Sequence, residues 1–172
     1  QFSVTNAAQA KEIERVLLEH AQGQLVVSKI TKTQRKRNPT APFTTSTLQQ
    51  EAVRKLGFTA QRAMRVAQQL YEGIDLGHET VGLITYMRTD SVHLAAEAVA
   101  DIRAFIVERY GQENLPEEER QYKTKSKNAQ EAHEAIRPTA IRLMPSDVKD
   151  KLSSDQYKLY NLIWKRTISS QM

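Results

Sequence analysis

The sequence predicts a mainly helical chain with a few short strands, an α+β arrangement spread over more than one domain. Three observations carry that expectation. Apolar residues recur at helical spacing behind Ser, Thr, Asn or Asp caps, and Gly23, Gly57 and Gly111 close successive periodic stretches. Only brief runs, Phe2–Thr5 and Leu25–Thr31, have the β-branched character of strands.

Taken in order, Phe2–Thr5 reads as a short strand. Asn6 and Gln9 then form a capping box for a helix with Ala10, Ile13, Val16 and Leu17 on one face, ended by Gly23. Leu25–Thr31 reads as a strand running into a basic segment and a linker from Pro39 to Pro42. Two short strands and a helix bury little, so this opening portion looks incomplete by itself. The domain boundary is placed near Thr45, giving residues 1–45 and 46–172. Ser46 or Thr47 caps the next helix, which carries Leu48, Ala52, Val53 and Leu56 and stops at Gly57. Thr59 caps a partner helix with Ala63, Met64, Ala67, Leu70 and Tyr71, so that the pair resembles a helix-turn-helix.

Gly73–Gly82 reads as a polar loop that delivers the chain into an extended run, Leu83–Ser91. Asp90 or Ser91 is expected to cap a long helix with Val92, Ala95, Val99, Ile102 and Ile106 on one stripe. The extended run would then lead straight into a helix N-terminus, where backbone N–H groups and the macrodipole favour anions. Gln130, His133 and Arg137 fall at helical spacing ahead of Pro138. In the tail, Ser153 and Gln156 form a capping box, and Tyr157, Tyr160, Ile163, Trp164 and Ile168 recur as core positions.

Composition narrows the function classes. The 172 residues hold 25 Lys and Arg against 20 Asp and Glu, a net charge of +5, and no cysteine. Disulfides and cysteine-bound zinc are thereby excluded, which is compatible with a reducing cytoplasm. No apolar stretch approaches the roughly 18 residues of a membrane span, and Gln1 onward shows no signal peptide, so a soluble protein is expected. The positive charge is clustered in two acid-free runs, Lys29, Lys32, Arg35, Lys36 and Arg37, then Lys123, Lys125 and Lys127. Both suit phosphates.

The chemistry concentrates in Leu83–Ser91. Side chains alternate faces in an extended segment, so Tyr86 and Arg88 point one way while Thr85, Met87 and Thr89 point the other. A phenol with a pKa of about 10 is a weak nucleophile at neutral pH, and a neighbouring guanidinium favours its ionised form. The same guanidinium offers a planar fork to phosphoryl oxygens. Because phenolate is also a fair leaving group, a phosphotyrosine ester conserves the energy of the bond it replaces and can be reversed without ATP. His133-Glu134-x-x-Arg137 approaches the zinc-protease pattern His-Glu-x-x-His, but arginine stands where the second ligand belongs.

Pro42–Gln50, Leu83–Ser91 and Gln130–Pro138, in that order, closely resemble type IA DNA topoisomerases, the bacterial topoisomerase I group, and the resemblance extends over essentially the whole chain. It implies that Tyr86 is the nucleophile that becomes linked to a DNA 5′-phosphate, with Arg88 stabilising the phosphoryl transition state. It also implies DNA contacts by His133 and Arg137, polar residues near the tyrosine in Gln68 and Glu72, and orienting roles for Thr85, Thr89 and Asp90. Residues 1–45 would belong to a β-rich arch domain whose other strands lie beyond this chain, and residues 46–172 to the helical domain bearing the tyrosine. Magnesium in the intact enzyme is expected on acidic residues of a Toprim portion, because no Asp-x-Asp-x-Asp run occurs here. The expected partners are DNA, single-stranded at the cleavage site, and the remaining domains of the same enzyme, with a cytoplasmic monomer and no membrane.

Two other classes fit parts of the sequence. A non-catalytic helix-turn-helix module would read duplex DNA through Gln61, Arg62, Arg65 and Gln68. A tyrosine recombinase would need two further arginines and a histidine or lysine gathered about its tyrosine, and the residues around Tyr86 do not resemble those enzymes.

Overall fold

The computed structural model describes residues 3–35, 37–123 and 133–172. The chain forms two compact units, Gln1–Arg37 and Asn38–Met172. The expected boundary near Thr45 thus moves toward the N-terminus. Residues just before Thr45 pack with the second unit: Phe43 is fully buried, its carbonyl accepts the Ile136 N–H at 2.8 Å, and Arg166 donates to the Ala41 carbonyl.

The first unit contains one helix, α1 (Ala7–Ala21). Asn6 caps it by accepting the Gln9 N–H, but the Gln9 side chain turns back to the N–H and hydroxyl of Thr5, so the reciprocal half of the expected capping box is not made. Gln22 and Gly23, both at positive φ, end the helix. None of its residues is buried. Of the strands expected at Phe2–Thr5 and Leu25–Thr31, Phe2 lies outside the described residues, and Ser3–Thr5 and Leu25–Thr31 have no ladder partner among the described residues. Leu25 is 98 % exposed and Val26 87 %. A β-branched run supplies propensity, but an isolated strand leaves its N–H and C=O groups without the pairing that makes a ladder.

The second unit is built on α2 (Thr45–Leu56), α3 (Ala60–Glu72), α4 (Ala96–Tyr110) and α5 (Ser154–Gln171). Helices α2 and α3 pack on each other and on α5, and α4 packs on α5. α3 buries Ala63, Val66, Ala67 and Leu70, the i, i+3, i+4, i+7 stripe of an amphipathic helix. α5 buries Leu159, Tyr160, Ile163, Trp164, Thr167 and Ile168 among others and forms the centre of the core. Its capping box of Ser153 and Gln156 is made in both directions.

Thr44, rather than Ser46 or Thr47, caps α2; its hydroxyl accepts the Thr47 N–H while the Thr47 hydroxyl accepts the Thr44 N–H. Gly57, at φ +67°, closes that helix. Between Gly73 and Gly82 the chain makes a small antiparallel hairpin, β1 (Ile74–Asp75) and β2 (Thr80–Val81), with Ile74 opposite Val81 and Asp75 opposite Thr80.

Two further expectations change. α4 begins at Ala96, not at Asp90 or Ser91, because Ser91–Ala95 are non-helical, with the Thr89 and Ser91 hydroxyls accepting the Ser91 and His93 N–H groups. Its first turn is met by a distant carboxylate: Glu134 accepts the Ala95 N–H at 2.7 Å. The anion at this N-terminus is therefore a side chain of the protein itself. The helical spacing expected of His133 and Arg137 is not realised either. Gln130 lies outside the described residues, and 133–139 are non-helical, with bridges from Ile136 to Phe43 and from Pro138 to Ile84.

Candidate active site

The run that carries Tyr86 is held by backbone hydrogen bonds to three neighbours. At its entry the Leu83 N–H donates to the Leu70 carbonyl of α3 at 2.7 Å. Gly82 passes so close to α3 that a Cβ there would lie 2.6 Å from the Tyr71 carbonyl oxygen, which explains the glycine. On one flank, the Thr85 N–H donates to the Arg137 carbonyl at 2.9 Å, and the Thr85 hydroxyl donates to the Ala135 carbonyl at 2.7 Å while accepting the Arg137 N–H at 3.0 Å. On the other flank stands the first residue of α2. The Thr45 hydroxyl donates to the Met87 carbonyl at 2.7 Å and accepts the Thr89 N–H at 2.8 Å, and the Thr45 N–H donates to the Thr89 carbonyl at 2.9 Å.

Held in this way, the run alternates. Met87, Thr89 and Ser91 are buried, whereas Tyr86, Arg88 and Asp90 are exposed, so Tyr86 and Arg88 are both open to solvent. Tyr86 is 48 % exposed and meets the ring of Tyr71 edge-on, with centroids 5.3 Å apart. Arg88, Thr89, Asp90 and His133 line an open depression of about 390 Å³ together with Thr44, Thr45 and Ser46. The helix N-terminus beside the tyrosine run is therefore that of α2, not α4. Its partial positive charge joins that of Arg88, which suits a phosphate-sized anion.

The other candidate residues lie elsewhere. The Arg137 side chain donates to Glu134 at 2.8 Å and to the Pro138 carbonyl at 3.0 Å, and it lines a separate depression with Glu97, Asp101 and Thr139. Its backbone touches the tyrosine run, but its guanidinium is committed to the carboxylate that caps α4. Gln68 donates to Glu72 at 2.6 Å on α3, flanking Tyr71 in the same helix. The Thr85 hydroxyl and the buried Thr89 spend their polar atoms within the protein, Thr89 by accepting the Ser91 N–H. Both orient the run rather than face outward.

Sequence reasoning missed Thr45 and Tyr71 as neighbours of the site. Thr45 stands inside the Pro42–Gln50 stretch, so the signal for it was present as a motif without a role. For Tyr71 the signal was its position three residues after Gln68 on the helix that leads into the tyrosine run.

Among the described residues no group of three or more His, Cys, Asp or Glu is placed to hold a metal ion. Among the described residues no helix is long and apolar enough to cross a membrane. The helix-turn-helix alternative loses part of its reading surface: Arg62 is held by Asp155 at 2.7 and 2.8 Å and lies over the Phe58 ring, and Gln68 is paired with Glu72.

This mainly helical unit, with an exposed tyrosine and arginine on one clamped run, can be set beside known proteins. A family model described as DNA topoisomerase matches residues 1–172. DNA topoisomerase 1 of Rickettsia bellii is 57 % identical over 172 residues, covering all of this chain and 21 % of that protein. DNA topoisomerase 1 of Xylella fastidiosa is 53 % identical over 173 residues, again covering all of this chain and 21 % of the relative. The solved structure of full-length topoisomerase I from Thermotoga maritima matches with a TM-score of 0.75 at 40 % identity, over 100 % of this chain and 26 % of that one. The chain belongs to the DNA topoisomerase family. It spans about a fifth of the length of the curated relatives it matches.

Proposed function

We propose that this chain is the tyrosine-bearing segment of a type IA DNA topoisomerase, which opens one DNA strand through a covalent phosphotyrosine, lets another strand pass and reseals the break. The observation that carries this reading is the exposure of Tyr86 and Arg88 on a run clamped by Thr45 and Thr85, with Arg88 lining one depression together with His133 and the first residues of α2.

In the forward step the phenolic oxygen of Tyr86 gives up its proton and forms a bond to phosphorus. The bond from phosphorus to the 3′ oxygen breaks, and that oxygen takes a proton and leaves as a free hydroxyl. The 5′-phosphate stays on Tyr86. Arg88 stabilises the charge that gathers on the non-bridging oxygens, and His133 and the α2 N-terminus hold the neighbouring backbone. Resealing is the reverse step and consumes no ATP, because the ester conserves the bond. Torsional strain in underwound DNA drives net relaxation. Thr45 and Thr85 keep the run in register, and Gln68, Glu72 and Asp90 supply polar surroundings. Arg137 acts through Glu134 and its own backbone on the shape of this region.

Magnesium belongs to the Toprim portion of the intact enzyme, outside this chain, where it supplies positive charge to the DNA backbone. This chain alone is expected to relax no DNA, and the intact enzyme to act as a cytoplasmic monomer on single-stranded regions.

The test is covalent trapping. A full-length topoisomerase carrying this segment should form a denaturant-resistant adduct with labelled single-stranded DNA, and Tyr86→Phe should form none. An adduct that persists undiminished in Tyr86→Phe overturns the reading.

A further inference from the structure

Tyr71 stands on the last turn of α3, between Gln68 and Glu72 in helical register, and is 41 % exposed. Its centroid lies 5.3 Å from that of Tyr86 with the planes at 63°, within the range of favourable edge-to-face contacts. The backbone around it is pinned to the tyrosine run twice. Leu83 donates to the carbonyl of Leu70, the residue before Tyr71, and Gly82 lies against the Tyr71 carbonyl itself. The turn that carries Tyr71 and the chain that carries Tyr86 therefore form one rigid corner, and the two rings meet across it.

A half-exposed tyrosine has staggered alternatives at χ1, and leaving its well would carry the phenolic oxygen several ångströms away. In-line attack tolerates little of this, since misplacing a reacting group by about 1 Å can slow a reaction about 100-fold. We infer that Tyr71 is a positioning residue for Tyr86: its ring holds the nucleophile's ring in the orientation from which the phenolic oxygen reaches phosphorus. This rests on the reading of Tyr86 as the nucleophile. The working part of Tyr71 is the ring, because the contact is between ring faces and edges.

The experiment measures the single-turnover rate of covalent adduct formation at saturating single-stranded DNA, in a full-length topoisomerase carrying this segment. Non-covalent DNA affinity is measured in parallel on a Tyr86→Phe background. Tyr71→Ala is expected to slow adduct formation about tenfold or more while leaving the affinity within about twofold, and Tyr71→Phe to restore the rate to within about threefold of the parent. Tyr71→Leu, which keeps apolar bulk on the helix, should be slow like Tyr71→Ala and melt like the parent, separating the effect from loss of folding. An unchanged rate in Tyr71→Ala overturns the inference. So does a rate loss matched by an equal loss of affinity, which would make Tyr71 a DNA contact, or a Tyr71→Phe as slow as Tyr71→Ala, which would give the role to the hydroxyl. A parent that forms no adduct overturns both readings; a reacting parent with an equally fast Tyr71→Ala overturns this one alone.

Discussion

The Thr85–Ser91 run and helix α5 contain the same two chemical groups in opposite settings. Tyr86 and Arg88 are exposed on an extended run. Tyr160 is fully buried, its hydroxyl donates to the Leu143 carbonyl at 2.7 Å, and desolvation pushes its phenol well above the ordinary range. Arg166 is nearly buried too, lying over the Phe43 ring and 3.5 Å from Glu51, with burial lowering its pKa against the opposing pull of that carboxylate. A phenol that is desolvated and occupied resists ionisation, and a guanidinium fixed between an aromatic ring and a carboxylate has no face left for a phosphate. Residue type thus leaves both chemistries open, and the surroundings separate an exposed tyrosine and arginine from a structural pair.

Several experiments would break or sharpen that contrast, the first with the largest effect. Tyr86→Phe should abolish the DNA adduct yet change stability by no more than about 0.5 kcal/mol, as exposed substitutions do; a large loss of stability would show that the ring belongs to the core. On the α5 side, Trp164→Ala should lower unfolding free energy by about 3–5 kcal/mol in urea titration, since it empties a core site and removes the indole N–H bond to the Ile141 carbonyl. Thr45→Val sits between the two regions. Losing its hydroxyl frees the Met87 carbonyl and the Thr89 N–H, so it should destabilise by about 1–3 kcal/mol and also slow adduct formation. Tyr160→Phe should lower stability by about 1 kcal/mol and leave the adduct rate alone, the reverse of Tyr86→Phe.

The smallest effect concerns acid. Glu51 is buried on α2 beside Lys55 at 2.6 Å and Arg54 at 2.9 Å. The hydrogen bond from Lys55 chiefly lowers its pKa below the ordinary 4.5, with burial opposing and the charges of Lys55, Arg54 and Arg166 assisting. A folded-state pKa below the unfolded value means the contribution is present above 4.5 and fades as pH falls through the folded value. Urea titrations from about pH 6 to about pH 3 should therefore show a smaller acid loss in Glu51→Gln than in the parent. Equal slopes would show that the cluster adds nothing to folding.

Legibility differed by kind of feature. The helical stripes of α3 and α5, the Thr59 cap, the Ser153–Gln156 box and the stop at Gly57 were readable because each is decided within a few residues. The outward face of Tyr86 and Arg88 was readable from the two-residue period of extended chain. Harder to read were features whose partner is remote. Asp90 and Ser91 are good caps by type, yet α4 starts later, because Thr89 and His93 are bonded to remote Thr45 and Ala135 and Glu134 meets the first turn. His133 and Arg137 have helical spacing, yet pairing with Phe43 and Ile84 draws that segment straight. Leu25–Thr31 has strand composition and no strand beside it.

The sequence by itself therefore determined most of the helices, several of their caps and the alternation that leaves a tyrosine and an arginine exposed, since these follow from torsional preference and from spacing along the chain. Only the tertiary structure decided which helix N-terminus stands beside them, that Arg137 serves Glu134, and that Tyr71 meets Tyr86. Those outcomes depend on hydrogen bonds and contacts between residues far apart in the chain, such as Thr45 with Thr89 and Thr85 with Ala135, and no local propensity encodes them.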